Sequence, residues 1–333
     1  MTEKQPLVDG LGRVHTSLRI SVTDRCNIRC FYCMPEDNVV FKPRAEILSF
    51  EEITRFVSVA AQLGIRKLRI TGGEPLVRSN LPDLIVALTS IPGINQIAMT
   101  TNGVLLAAYA KQLKQAGLHK LNISLDTLDD DKFYQLSRRR GIDDVIAGIH
   151  AAGKLGFDKI RLNAIAIRNM TEQDIIPLAE FARTYDLELR FIEFMPLDAE
   201  DRWQRSQVLT GDEIKHVLES QFGKLIPLRR DDPSQPAVDY GFADGHGSIG
   251  FINPVSQPFC GDCNRLRITA EGQLRNCLFS TSEWDVRQLL RQGGTDDDLE
   301  TLIRECIDAK KPAHGIDSDG FEKPERAMFQ IGG

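Results

Sequence analysis

The chain contains 333 residues, of which 42% are hydrophobic and 26% are charged, and its formal net charge is −6. This composition excludes the disordered and fibrous classes, and the negative balance argues against a general nucleic-acid binder, which needs an excess of Lys and Arg. No apolar run approaches the roughly 18–20 residues of a membrane helix, and the first residues lack the apolar core of a signal peptide, so we expect a cytoplasmic protein with no membrane or nucleic-acid partner.

Six short β-branched segments alternate with helical patterns in the first two thirds of the chain. The predicted strands begin at Leu18, Lys67, Ile94, His119, Lys159 and Glu188. Between them, apolar residues three or four apart predict helices, and the first helix has a capping box formed by Ser49 and Glu52. Six strand–helix units in a row predict a parallel sheet with right-handed crossovers.

The predicted strands alternate polar and apolar residues, and this alternation favours a barrel over an open sheet. A parallel sheet buried on both faces should be almost continuously apolar, whereas Asn122 and Ser124 here alternate with Leu121 and Ile123. Because the apolar face must pack against the helices, the polar face lines an interior. We therefore predict an α/β fold with a partial, incomplete parallel β/α barrel of about six units.

Four of these strands carry an arginine on the polar face near one level of the barrel: Arg19, Arg69, Arg161 and Arg190. Ion pairs with interior carboxylates such as Asp126 would account for one of them. Four like charges that converge on one interior repel strongly at low dielectric unless an anion joins them. The pattern therefore favours an anionic ligand inside the barrel.

The strand–helix alternation stops after the sixth strand. A helix is predicted over Thr210–Phe222, a hairpin is predicted to turn at Glu271–Gly272, and further helices are expected between residues 284 and 309. We place the domain boundary near residue 230. Residues 10–230 would form the barrel domain, and residues 231–333 a small C-terminal α+β domain.

Six of the seven cysteines fall into two groups, and in a chain of this class disulfides are not expected. The first group, Cys26, Cys30 and Cys33, directly follows the first strand. Three thiolates within eight residues can bind one face of a cubane [4Fe–4S] cluster and leave one iron open to a ligand. Zinc is the competing occupant, but a structural zinc site has four protein ligands and no fourth is nearby.

The second group, Cys260, Cys263 and Cys277, lies in the loop-rich C-terminal part. A zinc site completed by His246 is the alternative here. Three cysteines again favour a [4Fe–4S] cluster, and its open iron could hold the substrate. The seventh cysteine, Cys306, is predicted to lie in a helical core.

The first cysteine loop resembles the signature of the radical S-adenosylmethionine (SAM) superfamily, Cys-x3-Cys-x-aromatic-Cys, with Tyr32 as the aromatic residue. The segment ITGGEP, Ile70–Pro75, is similar to a second feature of that superfamily. The resemblance implies that the open iron chelates SAM and that reduction cleaves SAM to a 5′-deoxyadenosyl radical. The paired glycines would let the backbone approach the SAM ammonium group.

Over nearly the whole chain the sequence resembles the GTP 3′,8-cyclase family of molybdenum cofactor biosynthesis. The resemblance includes FCGDCNRLRITAEGQLRNCLF, MTTNG, LNISLDTL, LRFIEFMP and the terminal Gly332–Gly333. It implies a lyase that removes the ribose 3′ hydrogen of GTP and closes a bond from that carbon to C8 of guanine. It further implies two [4Fe–4S] clusters, SAM, an external electron donor, a homodimer, and a double-glycine tail that reaches toward the catalytic pocket.

The same resemblance implies ligand contacts residue by residue. SAM would be contacted by Tyr32, Gly73, Ser124 and Met195, although strict alternation along the sixth strand places Met195 opposite Arg190 unless a bulge or the strand end intervenes. GTP would be contacted by Arg19, Arg69, Thr100, Arg161, Arg265, Leu266 and Arg267. A family lysine falls at Arg161, which keeps the charge and changes the contact geometry.

Arg265 and Arg267 would lie on one face of a strand beside the second cluster. There they would contact the substrate and take part in the step that quenches the guanine radical. An exposed salt-bridging strand is the alternative for this pair. Two alternatives also remain for the whole chain. One is a dual-cluster radical SAM enzyme acting on a peptide or tetrapyrrole, which would not need four interior arginines. The other is a zinc-stabilised binding protein without redox chemistry.

Overall fold

Six parallel strands form the centre of the fold in the computed structural model, which describes residues 4–332. They are β1 (Ser17–Ser21), β2 (Lys67–Thr71), β3 (Gln96–Thr101), β4 (Lys120–Ser124), β5 (Lys159–Ala166) and β6 (Glu188–Glu193). Each strand pairs in parallel with the next one along the chain. The six predicted strands and their parallel order are confirmed.

Helices connect these strands and cover their apolar face. They are α1 (Phe50–Gln62), α2 (Leu81–Thr89), α3 (Leu106–Gln115), α4 (Asp130–Ser137), α5 (Ile142–Gly153) and α6 (Ile175–Thr184). The predicted capping box of α1 is present, with Ser49 and Glu52 each accepting from the backbone N–H of the other. Helix α4 was not predicted, because it is short and mostly polar and buries little beyond Phe133 and Leu136.

The C-terminal part extends the sheet at both ends. Its elements are α7 (Gly211–Phe222), β7 (Ile226–Pro227), β8 (Val238–Gly241), β9 (Ser248–Ile252), β10 (Arg265–Ile268), β11 (Gln273–Arg275), β12 (Trp284–Asp285), α8 (Val286–Arg291), α9 (Asp296–Asp308) and α10 (Met328–Ile331). The strand order is β12-β11-β10-β1-β2-β3-β4-β5-β6-β9-β8-β7. The sheet does not close, so the partial barrel is confirmed, and β10 with β11 forms the predicted hairpin. The boundary near residue 230 stays a prediction.

Alternation along the strands separates a core face from an interior face. Leu18 and Ile20 are fully buried under the helices, as are their neighbours Leu68 and Ile70 on β2. The residues between them face the other way, so the register sets Arg19 beside Arg69 on β2 and beside Arg267 on β10. Three guanidinium groups therefore stand side by side on one level of the interior. No helix in residues 4–332 is long and apolar enough to cross a membrane.

Candidate active site

The interior face of the sheet encloses a cavity of about 520 Å³. Both cysteine groups line it: Cys26, Cys30, Cys33, Cys260, Cys263 and Cys277. All are free thiols. Cys306 lies apart from them in the hydrophobic core, as predicted. The two groups, which are more than 220 residues apart in sequence, thus face one space in which two small molecules could meet.

The first cysteine loop is held from two sides. Within the loop, the backbone N–H groups of Cys33 and Met34 both donate to the carbonyl of Cys30 at 2.9 Å. From outside, the carbonyl of Ser137 at the end of α4 accepts from the N–H of Arg29 at 2.8 Å, and the carbonyl of Leu136 accepts from Phe31. The helix missed in the sequence is therefore one support of the loop.

The first group of thiols fits a multinuclear cation. Burial raises the pKa of the Cys26 thiol to about 11, with the Glu74 carboxylate adding to the effect. Burial and the neighbouring thiols raise the pKa values of Cys30 and Cys33 further. Three sulfurs this close ionise together only when a metal centre supplies positive charge, which is the donor set of a [4Fe–4S] cluster. Nowhere in residues 4–332 do three or more His, Cys, Asp or Glu side chains form a site for a single metal ion.

The paired glycines after β2 pack directly against the start of the cysteine loop. The N–H of Gly73 donates to the carbonyl of Thr23, and the N–H of Glu74 to that of Arg25, both at 2.8 Å. A Cβ at Gly73 would lie 2.4 Å from the Arg25 carbonyl oxygen, and one at Gly72 would lie 2.5 Å from the Thr23 carbonyl oxygen. The glycines are thus required for this close approach of two backbones, a reason that the sequence did not supply.

The four expected SAM residues all line the cavity together with the first cysteine group: Tyr32, Gly73, Ser124 and Met195. The Tyr32 hydroxyl donates to the Asp126 carboxylate, which also accepts from the N–H of Ile165 at 2.8 Å. Burial raises the pKa of Asp126 to about 6. Met195 lines the cavity although strict alternation would place it opposite Arg190. The reason is that β6 ends at Glu193, so the alternation of the strand no longer applies at Met195, and no bulge is needed.

The second cysteine group has cationic surroundings. Cys263 Sγ accepts from Arg265 Nε at 3.4 Å, from Arg265 Nη2 at 3.3 Å and from Lys310 Nζ at 3.5 Å. Burial alone would raise the pKa of Cys263, but Arg265 and Lys310 lower it to about 6. His246 is exposed between β8 and β9 and does not line the cavity, so it does not complete a zinc site with these cysteines.

The interior arginines divide into a paired and an unpaired set. Glu188 binds Arg161 at 2.6 Å and Arg190 at 2.5 Å. Burial would raise the pKa of Glu188, yet Arg190, Arg161 and Lys159 lower it to about 2. In the part of the chain that is described, Arg19 and Arg69 have no carboxylate within 4.0 Å. Burial and the surrounding arginines lower the pKa of Arg69 well below its usual value. Ion pairs thus account for two of the four arginines and leave the other two open to an anion.

The β10 arginines face the cavity, and the residue between them does not. Arg267 is 6% exposed and donates from Nη1 to the carbonyl of Gly332 at 2.7 Å, so the exposed salt-bridging strand is excluded for it. Arg265 lines the cavity beside Cys263. The Leu266 side chain is buried in the core, so this position can reach a ligand only through its backbone. Gly333 lies outside the described residues.

Several cavity residues were not singled out from the sequence. Lys67 and Lys120 share the interior face with Arg69 and Asn122, so strand parity could have identified them. Lys67 Nζ binds the Asp232 carboxylate at 2.5 Å. His314, which lines the cavity near Cys260, and Lys310, behind Cys263, belong to the C-terminal part, where no periodic pattern signals which side chains point inward.

Two family models match the chain. Residues 20–182 match the radical SAM superfamily, and residues 187–316 match the family described as Molybdenum Cofactor Synthesis C. Together they account for both cysteine groups.

Curated relatives match over nearly the full length. A protein of Rhodopirellula baltica named GTP 3′,8-cyclase is 52% identical over 100% of this chain and 94% of its own. Proteins of the same name from Corynebacterium glutamicum and Thermodesulfovibrio yellowstonii are 44% and 42% identical, each over 98% of this chain and over 89% and 99% of their own.

Solved structures support the fold at low sequence identity. The Streptococcus suis protein SuiB bound to the precursor peptide SuiA superposes with a TM-score of 0.62 at 15% identity, covering 88% of this chain and 68% of that one. Native anSMEcpe with bound AdoMet superposes with a TM-score of 0.60 at 16% identity, covering 88% and 82%. At such identities the likeness concerns the fold alone.

Proposed function

The chain belongs to the GTP 3′,8-cyclase family of the radical SAM superfamily, and from this membership we propose how its cavity serves the reaction. The protein is an enzyme that uses two [4Fe–4S] clusters and SAM to convert GTP into (8S)-3′,8-cyclo-7,8-dihydroguanosine 5′-triphosphate in molybdenum cofactor biosynthesis. The observation that carries the site assignment is that both cysteine groups line one cavity together with Arg19 and Arg69, which have no carboxylate partner in residues 4–332.

The first cysteine group would hold the cluster that binds SAM. Once reduced and with SAM bound, that cluster would supply the one electron that cleaves SAM, the chemistry needed for removal of the 3′ hydrogen of GTP. Tyr32, Gly73, Ser124 and Met195 would surround SAM, since all four lie on the cavity wall by this group. The Tyr32–Asp126 hydrogen bond would fix the aromatic ring within the loop.

The barrel arginines would bind the triphosphate of GTP. Arg19 and Arg69 are the best candidates, because they are half-buried cations on the cavity wall with no carboxylate partner in residues 4–332. Guanidinium groups bind phosphate oxygens bidentately. Arg161 would contribute while its orientation is fixed by Glu188. Thr100 lines the same wall and would donate its hydroxyl to the substrate.

The second cysteine group would hold the cluster that faces the guanine. Arg265 and Arg267 would contact substrate beside it, with the backbone of Leu266 between them. The C-terminal tail enters this region, because the Gly332 carbonyl accepts from Arg267. The tail would thereby orient the guanidinium toward the substrate and keep water from the radical step.

The partners and the domain division belong to the same proposal. An external one-electron donor would reduce the first cluster, the enzyme would act as a homodimer in the cytoplasm, and residues 10–230 and 231–333 would form its two domains. The two matching family models also divide the chain into two parts, but they meet between residues 182 and 187 rather than near residue 230.

Anaerobic incubation of the reconstituted enzyme with GTP, SAM and a reductant tests the proposal. Chromatography and mass analysis should show a new nucleotide isomeric with GTP together with 5′-deoxyadenosine. Cleaved SAM beside unchanged GTP would contradict it and favour the enzyme acting on a peptide or tetrapyrrole. A parent preparation that contains zinc and no iron would contradict both.

A further inference from the structure

Lys310 is a buried cation directly behind the second cysteine group. It follows α9 by two residues, and its side chain makes three donations. Nζ lies 3.5 Å from Cys263 Sγ, 2.9 Å from the carbonyl of Arg265 and 2.7 Å from the carbonyl of Asn276. Asn276 immediately precedes Cys277. One ammonium group therefore ties together the two chain segments that carry the second group of thiols.

The charge of Lys310 has no carboxylate partner. Every Asp and Glu carboxylate within the described residues is more than 4.0 Å from Nζ, and the nearby charged side chains, Arg265 and Arg13, are also cations. A buried ammonium is costly unless an anion compensates it. The anionic groups within reach are the thiolates of Cys263 and Cys277, so the second cysteine group itself is the counter-charge of Lys310.

The first cysteine group has a different balance of charges around it. Two carboxylates, Glu74 and Asp126, and one cation, Arg29, act on its thiols, and its side-chain hydrogen-bonding partners, Asn102 at 3.7 Å from Cys26 Sγ and Tyr32 beside Cys30, are neutral. Adding an electron to a cluster increases its negative charge. Nearby cations and N–H donors to sulfur stabilise the reduced form, and nearby carboxylates disfavour it. The two thiol sets thus differ in the electrostatic environment that they offer.

We propose that Lys310 is a positioning residue for the second cluster, which fixes the Cys263 and Cys277 segments around it and raises its reduction potential. The proposal rests on the two-cluster function above. The three donations account for the fixing. The positive charge of Lys310, which no carboxylate in the described residues neutralises, adds to that of Arg265 at the same sulfur and accounts for the higher potential. The two clusters of one cavity would then differ in the ease with which they accept an electron.

An anaerobic redox titration of the reconstituted holoenzyme, followed by electron paramagnetic resonance, tests this role. Added SAM perturbs the signal of the first cluster alone and so separates the two signals. Lys310→Met should shift the midpoint of the second cluster to lower potential and leave that of the first unchanged. Lys310→Arg, which keeps the positive charge, should leave the midpoint of the second cluster close to its parental value. The matched control is Lys311→Met, which removes an exposed neighbour and should change neither midpoint.

Full iron content in Lys310→Met with an unchanged second midpoint would overturn the proposal. If Lys310→Met loses about half of its iron but keeps the SAM-responsive signal, the fixing role is supported. The midpoint of the second cluster in Lys310→Gln then measures the effect of the charge. That variant keeps a donor without charge, so a parental midpoint in it overturns the potential effect. A parent enzyme with iron for only one cluster would instead contradict the two-cluster function itself.

Discussion

Arg267 and Gly332, which are 65 positions apart in sequence, are joined by a 2.7 Å hydrogen bond from a buried guanidinium to a backbone carbonyl. The bond brings the C-terminal tail into the same interior that the cysteine groups share. Gly332 adopts a φ of +83°, and a Cβ there would lie 2.8 Å from the Cβ of Ser21. Backbone conformation and space therefore both require glycine at this position.

Gly332→Ala should displace the tail from the cavity. We expect the rate of GTP cyclisation to fall roughly 10–100-fold, because Arg267 loses its fixed partner, while the iron content and the binding of SAM stay parental. Turnover assays and iron analysis check this. Gly320→Ala is the control, since Gly320 is exposed and a Cβ there would meet nothing within 4 Å; equal losses in both variants would contradict the role of the tail.

Arg69→Met should have opposite effects on binding and stability. Removal of a half-buried charge that has no carboxylate partner in residues 4–332 should raise the free energy of unfolding, whereas the Kd for GTP should rise roughly 10–100-fold through loss of a charged hydrogen-bond partner. Arg190→Met is the contrast, because it leaves Glu188 without one of its partners and should lower the free energy of unfolding. Denaturant titrations and equilibrium binding measure both quantities, and parental GTP affinity in Arg69→Met would refute its assignment.

A comparison of Cys30→Ala with Cys306→Ala should distinguish a cysteine that binds a cluster from one that only packs in the core. Cys30→Ala should lose the first cluster and all SAM cleavage while the signal of the second cluster persists. Cys306→Ala should keep the iron of both clusters and lose about 1–2 kcal/mol of stability, because its side chain is fully buried in the core. Iron analysis and paramagnetic resonance distinguish the two outcomes, and loss of iron from the second variant would be inconsistent with the site.

His15 should make stability depend on pH. Burial, with Lys310 adding to it, lowers the pKa of His15 to about 4 from 6.5. Between these values the unfolded chain binds the proton and the folded chain does not, so stability is full above about pH 6.5 and is lost as the pH falls toward 4. The slope contributed by His15 approaches 1.4 kcal/mol per pH unit at most. Unfolding at pH 7, 6 and 5 should show a flatter dependence in His15→Gln than in the parent.

His216→Gln is the control for this titration, because His216 is an exposed residue of α7. This substitution should leave the pH dependence of the free energy of unfolding as it is in the parent. A His15→Gln variant with the same pH dependence as the parent would show that the buried imidazole does not govern acid sensitivity in this range.

The regular part of the fold could be predicted from the sequence because strand parity is a local property. Alternation alone predicts that Arg19, Arg69 and Arg161 face the interior of the barrel, and all three line the cavity. The register sets Arg19 beside Arg69, whereas Arg161 lies two residues further along its strand than the level of this pair. Helix α4 was not predicted from the sequence, because a short, mostly polar helix lacks a wide apolar stripe. Its support of the cysteine loop depends on backbone carbonyls, which carry no residue signature.

The C-terminal side of the site was less predictable for a different reason. Lys310 and His314 reach the second cysteine group from irregular chain after α9, where side-chain direction follows from tertiary packing alone. The role of Gly73 was likewise hidden, because its contact with Arg25 joins two loops that only the folded sheet brings together. Leu266 was identified from a motif, but parity places its side chain in the core.

The central claim, that SAM and GTP occupy one cavity between the two cysteine groups, is tested most directly by isotope transfer. Anaerobic turnover with GTP deuterated at C3′ of the ribose should yield 5′-deoxyadenosine that carries one deuterium. Deuterium retained in the nucleotide, with unlabelled 5′-deoxyadenosine formed beside it, would contradict the account.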